Sequence, residues 1–409
     1  MKKNERNLEK RSHLRALKYP NSSSTQSFLG IFKLLREKLG LIKSFGSWKA
    51  SLKNLKITPQ LVILMERVGV AELPLHYGRA PKWLFQRMVK LGKSITTLIV
   101  NEYGRDKFLE RLADPFWLNA LGCALGYDWH SSGLTTVVLG ALKEALARAD
   151  LGIVVCGGKG KTSRKTPEEI ERASEILSFR SEEIERLKYC SKIAAKIDNA
   201  VVQDGYTLYH HAFIVSEDGE WVVVQQGMNQ LNRFARRYHW LSKKIKNLVV
   251  EPHSAIVGKK EDVVLDLTAR ESEDTRKCSV DLVKDNPEHL RKYLRDIRQK
   301  SLWEFSKDSD IQLKFLRLPR EHDFSLQDLD DRVIKSLKLA YELQPQDFEE
   351  LVSIKGIGPK CIRALALISN LIYGTEVSYR DPCKFSFAHG GKDGVPYPVD
   401  LKTYDHSIK

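Results

Sequence analysis

The sequence has none of the patterns that mark a membrane-spanning, secreted or zinc-binding protein. Its six cysteines form no C-x-x-C pair, so they indicate neither a zinc site nor a disulfide framework. No apolar run is long enough to cross a bilayer. Residues 1–15 are charged throughout and lack the apolar centre of a secretory signal. We therefore expect a cytoplasmic protein that does not bind membranes.

Positive charge is abundant but unevenly distributed. The 409 residues carry a formal net charge of +15, and residues 1–64 alone hold 14 Lys and Arg against 3 Glu. Only +4 is left for residues 65–409. Such a basic, amphipathic arm suits DNA or a membrane surface. We predict that residues 1–64 are dispensable for activity, either as a disordered arm or because translation begins at Met65. The abundance of Lys, Glu and Ile is typical of a thermophile.

The most specific motif lies at residues 346–373, which resemble a helix-hairpin-helix, the DNA-backbone clamp of repair enzymes. The tripeptide Gly356-Ile357-Gly358 predicts a tight turn whose core is filled by Ile357. Pro359 stands at the first position of a second helix, whose bare N–H groups suit a phosphate oxygen. Lys360 adds a positive charge there. Such a clamp holds a backbone without reading bases. An ordinary antiparallel helix pair is the alternative.

The same turn allows a second chemistry. In helix-hairpin-helix glycosylases, a lysine just after the turn is the Schiff-base nucleophile, and an aspartate later in the chain assists it. Lys360 and Asp381 stand at corresponding places. A glycosylase or lyase that uses Lys360 and Asp381 is therefore an alternative function, although no iron–sulfur cysteine set follows.

Another group of reactive side chains surrounds a predicted β-hairpin at 208–215 and 221–226. Asp204 precedes the hairpin, and His210 and His211 lie on its first strand. Carboxylate and imidazole groups can hold Mg²⁺ or Mn²⁺, which activates water against a scissile phosphate. We predict a metal site at Asp204 with His210 or His211, and a catalytic role for Asp204. Adjacent histidines point to opposite faces of a strand, so one of them is also a candidate for the core.

Further groups complete the predicted site. Asp128 and His130 lie in a polar segment between two helices, where they suit a metal ligand or a general base. Helix capping by Ser131 or Ser132 is the structural alternative. Basic side chains expected to contact the DNA backbone lie in the loop 157–165 and beyond the hairpin: Lys159, Lys161, Arg233, Arg236 and Arg237. The loop is not a P-loop, because Val155 stands where that motif needs glycine.

Several segments together resemble one family. They are residues 72–83, 128–133, 204–211, 225–240 and 378–400. They look like the prokaryotic family catalogued as domain of unknown function seven hundred and sixty-three, which occurs in archaea and some thermophilic bacteria. The resemblance covers residues 67–400 and leaves the basic arm outside. It implies that the hairpin belongs to a larger unit, and it names no reaction.

The patterns predict an α/β (α+β) core domain at residues 65–284, with a small β-hairpin-containing sheet. A mostly helical helix-hairpin-helix domain at 285–375 and an irregular tail at 376–409 follow. The predicted function is DNA processing or repair by a divalent-metal-dependent nuclease that grips DNA without sequence preference. The glycosylase and a non-catalytic DNA-binding scaffold are the alternatives. The expected partner is single-stranded or branched DNA, and a single clamp favours a homodimer, in which two copies pair.

Overall fold

The computed structural model describes residues 73–75, 80–127, 131–147, 149–286, 289–290, 292–293 and 331–383. The chain divides into two units, Met1–Met65 and Glu66–Lys409, and every described residue belongs to the second. The predicted basic arm, most of the predicted tail, and the candidate ligands Asp128 and His130 lie outside the described residues.

Helices and antiparallel strands are both present in the described residues, which confirms the predicted α/β class. The helices are α1 (Lys82–Tyr103), α2 (Arg105–Ala113), α3 (Pro115–Ala124), α4 (Ser132–Leu146), α5 (Thr166–Leu177), α6 (Ser181–Lys196), α7 (Glu273–Lys284), α8 (Asp331–Leu343), α9 (Phe348–Ser353) and α10 (Pro359–Tyr373). The strands are β1 (Leu73–Pro74), β2 (Ile153–Lys159), β3 (Val202–Gln203), β4 (Thr207–Ser216), β5 (Trp221–Asn229), β6 (Phe234–Leu241), β7 (His253–Val257) and β8 (Leu265–Asp266). None of these helices is both long and apolar enough to cross a membrane.

Six of the described strands build one sheet, which is larger than the predicted hairpin. Its order is β1-β6-β5-β4-β2, all antiparallel, and β7 pairs with the edge of β6 that also carries β1. Strands β3 and β8 form a separate two-stranded ladder. Consecutive strands from β4 to β6 are neighbours, as short connections require.

The predicted β-hairpin is confirmed as β4 and β5. Its turn closes at Gly219, whose φ of 76° lies in the left-handed region that glycine adopts without steric cost. The Gly219 N–H donates to the Ser216 carbonyl at 2.9 Å. An irregularity between Leu208 and His210 shifts the register near the start of β4, and such bulges change the direction of neighbouring side chains.

Helices cover both faces of the sheet, so its central strands carry apolar side chains on both sides. Along β5, Trp221 and Val223 belong to one buried cluster, whereas Val222 and Val224 belong to another. This alternation follows from the two-residue period of a strand. Helices α1 to α4 supply the cluster on the Val222 side, and α5 to α10 supply the cluster on the Val223 side. The sheet is therefore the middle of three layers.

Strands β6 and β7 were not predicted, and on β6 the reason is that several of its buried side chains are polar. Arg236, Arg237 and His239 on β6 are each 0% exposed, and His253 on β7 is buried as well. Hydrophobic periodicity reveals a strand only when its inward side chains are apolar. Arg236 and Arg237, which we expected at the DNA surface, instead form part of the protein interior.

Strand β2 lies at one edge of the sheet. Two side chains bind backbone groups in part of this strand. The N–H of Gly157 donates to Glu169 Oε2 at 2.6 Å, and Lys143 Nζ donates to the Gly157 carbonyl at 2.7 Å. Lys143 and Glu169 also form an ion pair at 2.5 Å. Both polar backbone groups of Gly157 thus have side-chain partners.

Helices α9 and α10 and the turn between them, which we call the helical hairpin, lie in the segment that resembles a helix-hairpin-helix, and they share their core with the sheet. Leu351 of α9 and Leu365 of α10 lie in the same buried cluster as Leu187 of α6 and Phe213 of β4. Residues 361–370 of α10 are all buried. A hydrophobic cluster therefore spans the predicted domain boundary after residue 284.

We expect Leu365→Ala to destabilise the sheet and the helical hairpin together. Leu365 is 0% exposed in the shared cluster, and truncating a buried leucine costs about 2–5 kcal/mol. Denaturation followed by tryptophan fluorescence and by circular dichroism should give coincident transitions, shifted to lower denaturant. Leu343→Ala, at an exposed position of α8, should leave the midpoint unchanged. Two separate transitions would show that the hairpin folds independently.

Candidate functional site

A cavity of about 710 Å³ lies between α6, the turn Gly160–Lys165, the start of β4 and the turn of the helical hairpin. We call it the cationic cavity. Its basic lining residues are Arg164, Lys192, Lys196 and Lys355. Its hydroxyl and imidazole lining residues are Ser163, Thr166, Tyr189, Ser191, Tyr209, Ser353, His210 and His211. None of the described residues that line it is acidic. Its electrostatic character therefore favours an anionic ligand.

Lys196 connects the cationic cavity to the helical hairpin. Its Nζ donates to the carbonyl oxygens of Ile354 at 2.7 Å and of Ile357 at 2.8 Å, both in the turn between α9 and α10. Burial lowers the pKa of Lys196. The two turn carbonyls thus point toward α6, while Lys355 and Gly356 beside them are exposed.

The two glycines of the hairpin turn differ in why they are there. Gly356 has a φ of 96°, and a Cβ there would lie 2.6 Å from Ser336 Oγ, so the fold requires glycine. Gly358 has extended backbone, and a Cβ there would meet nothing nearer than 3.9 Å in the described part of the chain. Neither backbone conformation nor crowding by described residues explains the glycine at position 358.

One wall of the cationic cavity carries a chain of hydrogen bonds that begins at a serine. Ser191 Oγ lies 2.9 Å from His211 Nε2, and His211 Nδ1 lies 2.8 Å from Gln225 Oε1. Gln225 Nε2 in turn donates to Asp198 Oδ2 at 2.6 Å. Ser191 lies in α6, His211 in β4 and Gln225 in β5. The chain therefore crosses from the helical layer into the sheet.

The partners in this chain determine which nitrogen of His211 carries the proton. A carboxylate only accepts hydrogen bonds, so Gln225 must direct its NH₂ group to Asp198 and its oxygen to His211. That oxygen also only accepts, and Nδ1 must therefore be the protonated nitrogen. Burial lowers the pKa of His211, which favours the neutral ring. Nε2 then carries a lone pair, and the Ser191 hydroxyl donates to it.

Asp198 at the far end of the chain also binds two other strands. Trp240 Nε1 donates to Asp198 Oδ2 at 2.9 Å, and His253 Nε2 lies 2.5 Å from Asp198 Oδ1. The carboxylate is 0% exposed. A carboxylate with several hydrogen bonds can remain buried, so this end of the chain is firmly anchored.

Asp204, the leading candidate metal ligand, is occupied by protein partners. Its Oδ2 accepts from Arg236 Nη1 at 3.0 Å and from Tyr238 Oη at 2.6 Å, and its Oδ1 accepts from the Tyr206 N–H at 3.0 Å. Burial raises the pKa of Asp204 to about 6, against the opposing charge of Arg236. These contacts describe a buried ion-pair partner.

Asp381, the second residue of the glycosylase alternative, belongs to the same ion-pair group. Arg236 donates to it through both terminal nitrogens, at 3.0 Å and 2.6 Å. The N–H groups of Glu261 and Cys383 donate to it as well. With both oxygens engaged, Asp381 has a structural role that the glycosylase alternative did not anticipate. Lys360 lies exposed in the first turn of α10.

Arg236 and Arg237, expected to contact the DNA backbone, are not available at the surface. Both side chains are 0% exposed. Arg237 donates to Thr135 Oγ1 at 3.1 Å and to Asn119 Oδ1 at 2.6 Å, and burial lowers the pKa of Arg237 to about 9. This is a correction to the predicted DNA-binding set. Its physical reason is that consecutive residues of β6 face the two covered sides of the sheet.

The remaining predicted residues divide between surface and interior. Lys159, Lys161 and Arg233 are exposed and stay available for a phosphate contact. His210 is buried, and neither ring nitrogen has a hydrogen-bond partner among the described residues. Burial lowers the pKa of His210 to about 3, so the ring is neutral. The alternative role of Ser131 is observed, because its Oγ accepts from the Gly133 N–H at 3.1 Å.

The predicted metal ligands do not form a metal cluster. Within the described residues there is no group of three or more His, Cys, Asp or Glu side chains arranged to hold a metal ion. Asp204 bonds to Arg236, whereas His211 uses both ring nitrogens for Ser191 and Gln225.

Sequence reasoning missed the side chains of α6 that line the cationic cavity. Ser191, Lys192, Lys196 and Asp198 all lie in α6 or directly after it, and none was singled out. The lysines are four residues apart, which places them on one face of a helix. That spacing is also ordinary for a solvated helix face, so it could not by itself distinguish a cavity wall.

Comparison with known proteins identifies the family. The family model described as "Protein of unknown function (DUF763)" matches residues 69–399, and the chain belongs to this family. Neither the curated proteins nor the solved structures contain a match.

The raised pKa of Asp204 leads to a prediction about how the unfolding free energy depends on pH. The folded value of about 6 lies above the ordinary value of 3.8, so the stabilising contribution is present at low pH and is lost as the pH rises through 6. The unfolding free energy of the wild type, relative to Asp204→Asn, should therefore fall by about 2 kcal/mol between pH 4 and pH 7. Urea denaturation across this range measures it. Parallel pH profiles for the two proteins would contradict the assigned environment.

Proposed function

We propose that this protein processes DNA as a nuclease that holds the sugar-phosphate backbone at the cationic cavity and the adjoining hairpin turn. The observation that carries this proposal is the lining of the cavity. It combines Arg164, Lys192, Lys196 and Lys355 with hydroxyl and imidazole groups, and none of its described lining residues is acidic. Lys and Arg side chains supply most of the affinity for a phosphate backbone.

The hairpin turn supplies a second support for the proposal. The helix dipole places partial positive charge at the N-terminus of α10, which favours an anion there. Gly358 lies directly before this helix and leaves open space where a Cβ would be. Close approach of another molecule's backbone is a common reason for such a glycine. Lys196 and Lys355 join this surface to the cavity.

Mg²⁺ or Mn²⁺ remains part of the nuclease proposal, as the ion that would activate water and offset charge on the phosphate. Asp204 and His211 hold protein partners, so an ion would need other ligands. Asp128 and His130, which lie outside the described residues, were predicted as secondary candidates for a metal ligand or a general base. Single-stranded or branched DNA and a homodimer are the proposed substrate and assembly.

The alternatives have weaker support. A glycosylase would need Asp381 to assist Lys360, but Arg236 and two backbone N–H groups already engage that carboxylate. A non-catalytic scaffold would use the same cationic cavity and would bind DNA without cutting it. Binding and cleavage must therefore be measured separately.

Gly358→Ala should weaken DNA binding without destabilising the protein. The new methyl group meets nothing within 3.9 Å in the described fold, but it would lie where a phosphate must approach. Loss of one hydrogen bond to a charged group lowers the affinity roughly tenfold. Fluorescence anisotropy with a labelled single strand measures the affinity, and thermal unfolding measures stability.

Gly356→Ala is the matched comparison for Gly358→Ala, because it should lower the stability of the protein. Its φ of 96° and the 2.6 Å approach to Ser336 Oγ should lower the melting temperature. If Gly358→Ala bound DNA as tightly as the wild type, the turn would not be a backbone clamp.

The cationic cavity makes a prediction about salt dependence and cleavage. Lys192→Ala with Lys355→Ala should reduce the slope of log affinity against log salt by about 1.4 on single-stranded DNA, because two phosphate contacts are lost. Lys277→Ala, on the exposed face of α7 and paired with Glu273, should leave the slope unchanged.

Cleavage is tested on the same substrates. Wild-type protein should cut single-stranded or branched DNA with Mn²⁺, and the double lysine variant should cut more slowly. Inhibition by a chelator would support the metal. Tight binding without strand cleavage under any of these conditions would favour the scaffold.

A further inference from the structure

The hydrogen-bond chain in the cavity wall has the arrangement of an activated nucleophile. The Ser191 hydroxyl donates to the unprotonated Nε2 of His211 at 2.9 Å. The opposite nitrogen of that ring is held by Gln225, which Asp198 holds in turn. A nucleophile bonded to a base, with the base oriented by a third group, is the geometry that enzymes use for covalent catalysis.

We propose that Ser191, rather than metal-activated water, is the nucleophile of the cleavage step and that His211 is its general base. Ser191 Oγ attacks the phosphorus of a phosphate ester bound in the cationic cavity. The substrate class, a DNA phosphodiester, rests on the proposed function. The pair itself rests on the described contacts alone. It keeps His211 from the residues first predicted as metal ligands but assigns it another role, and it does not involve Asp204, which bonds to Arg236.

The reaction balances with water as its only other reactant. Ser191 Oγ forms a bond to phosphorus while its proton passes to His211 Nε2. The phosphorus–oxygen bond to the leaving strand breaks, and that oxygen takes the proton from His211. Water, activated by the same ring, then attacks the phosphoserine ester, releases the phosphorylated strand end and restores the serine hydroxyl.

The side chains near Ser191 suit this chemistry. A serine with a purely structural role would not need them. Lys192 follows it directly, and Lys196 lies in the next turn of the same helix. Both line the cavity and can offset the charge that develops on the phosphate oxygens. Ser279 in α7 offers the contrast: it is also buried and helical, but its hydroxyl donates to the Thr275 carbonyl of its own helix at 2.7 Å.

Diisopropyl fluorophosphate tests the nucleophile without needing the natural substrate. Attack by Ser191 would form the oxygen–phosphorus bond and expel fluoride, and mass spectrometry would locate the adduct. We expect one adduct, on Ser191, in the wild-type protein and none in Ser191→Ala. Labelling should slow roughly hundredfold in His211→Asn, because the base is lost. Ser279→Ala should label at the wild-type rate.

Three results decide the proposal. Absence of an adduct on Ser191 in the wild-type full chain would overturn it, and this result needs no variant to fold. Labelling of His211→Asn at the wild-type rate, in protein whose melting temperature shows it folded, would overturn it as well. If His211→Asn does not fold, the labelling rate is measured on His211→Gln instead. Labelling of Ser191 that depends on His211 would support the pair.

A DNA-protection arm separates this inference from the proposed function. Single-stranded DNA should slow the labelling of Ser191 if the cavity holds the DNA backbone. Labelling that depends on His211 but is indifferent to DNA, in a protein that does not bind DNA by anisotropy, would reject the proposed function and keep the nucleophile. DNA binding with no adduct on Ser191 would reject the nucleophile and leave the proposed function standing.

Discussion

The carboxylate of Asp198 is the interaction on which the cavity side of the molecule depends. It lies directly after α6 and binds Gln225, Trp240 and His253, which belong to three adjacent strands. An ionised carboxylate without partners would be strongly unfavourable in this fully buried position. The helix and the three strands are therefore constrained to one relative placement. That placement brings the serine face of α6 against the histidine of β4, and it leaves the lysines of α6 along the cavity.

Many of the buried side chains on the described sheet are polar, and they fall into separate groups. One is the chain from Ser191 to Asp198, another is the ion-pair group around Arg236, and a third surrounds Arg237 on the opposite face. Buried polar networks define a unique arrangement, because each lost partner leaves an unsatisfied group. Breaking a buried ion pair on one side costs about 3–5 kcal/mol, so these groups make the sheet intolerant of single substitutions.

The predictable parts of the structure were those in which local chemistry decides the outcome. The β4–β5 hairpin follows from two apolar runs on either side of a turn that ends in Gly219, and the start of α10 follows from Pro359 at its first position. The α/β class follows from the same signals. Strand β6 did not follow, since Arg236 and Arg237 look like surface residues until their partners are known. The cavity could not be read from the sequence either, because it joins a helix, a strand and a distant turn whose association is tertiary.

The closed edge of strand β2 has a consequence for how copies of this chain can associate. An open strand edge is a template for edge-to-edge pairing, and natural proteins block such edges to avoid aggregation. Here Glu169 and Lys143 occupy both backbone groups of Gly157, and φ angles of 89° and 146° at Gly157 and Gly158 bend the strand away from regular extension. A continuous intermolecular sheet through this part of β2 is therefore blocked by chemistry as well as by shape. Self-association, if it occurs, must use side-chain surfaces, which evolution can alter without disturbing the sheet.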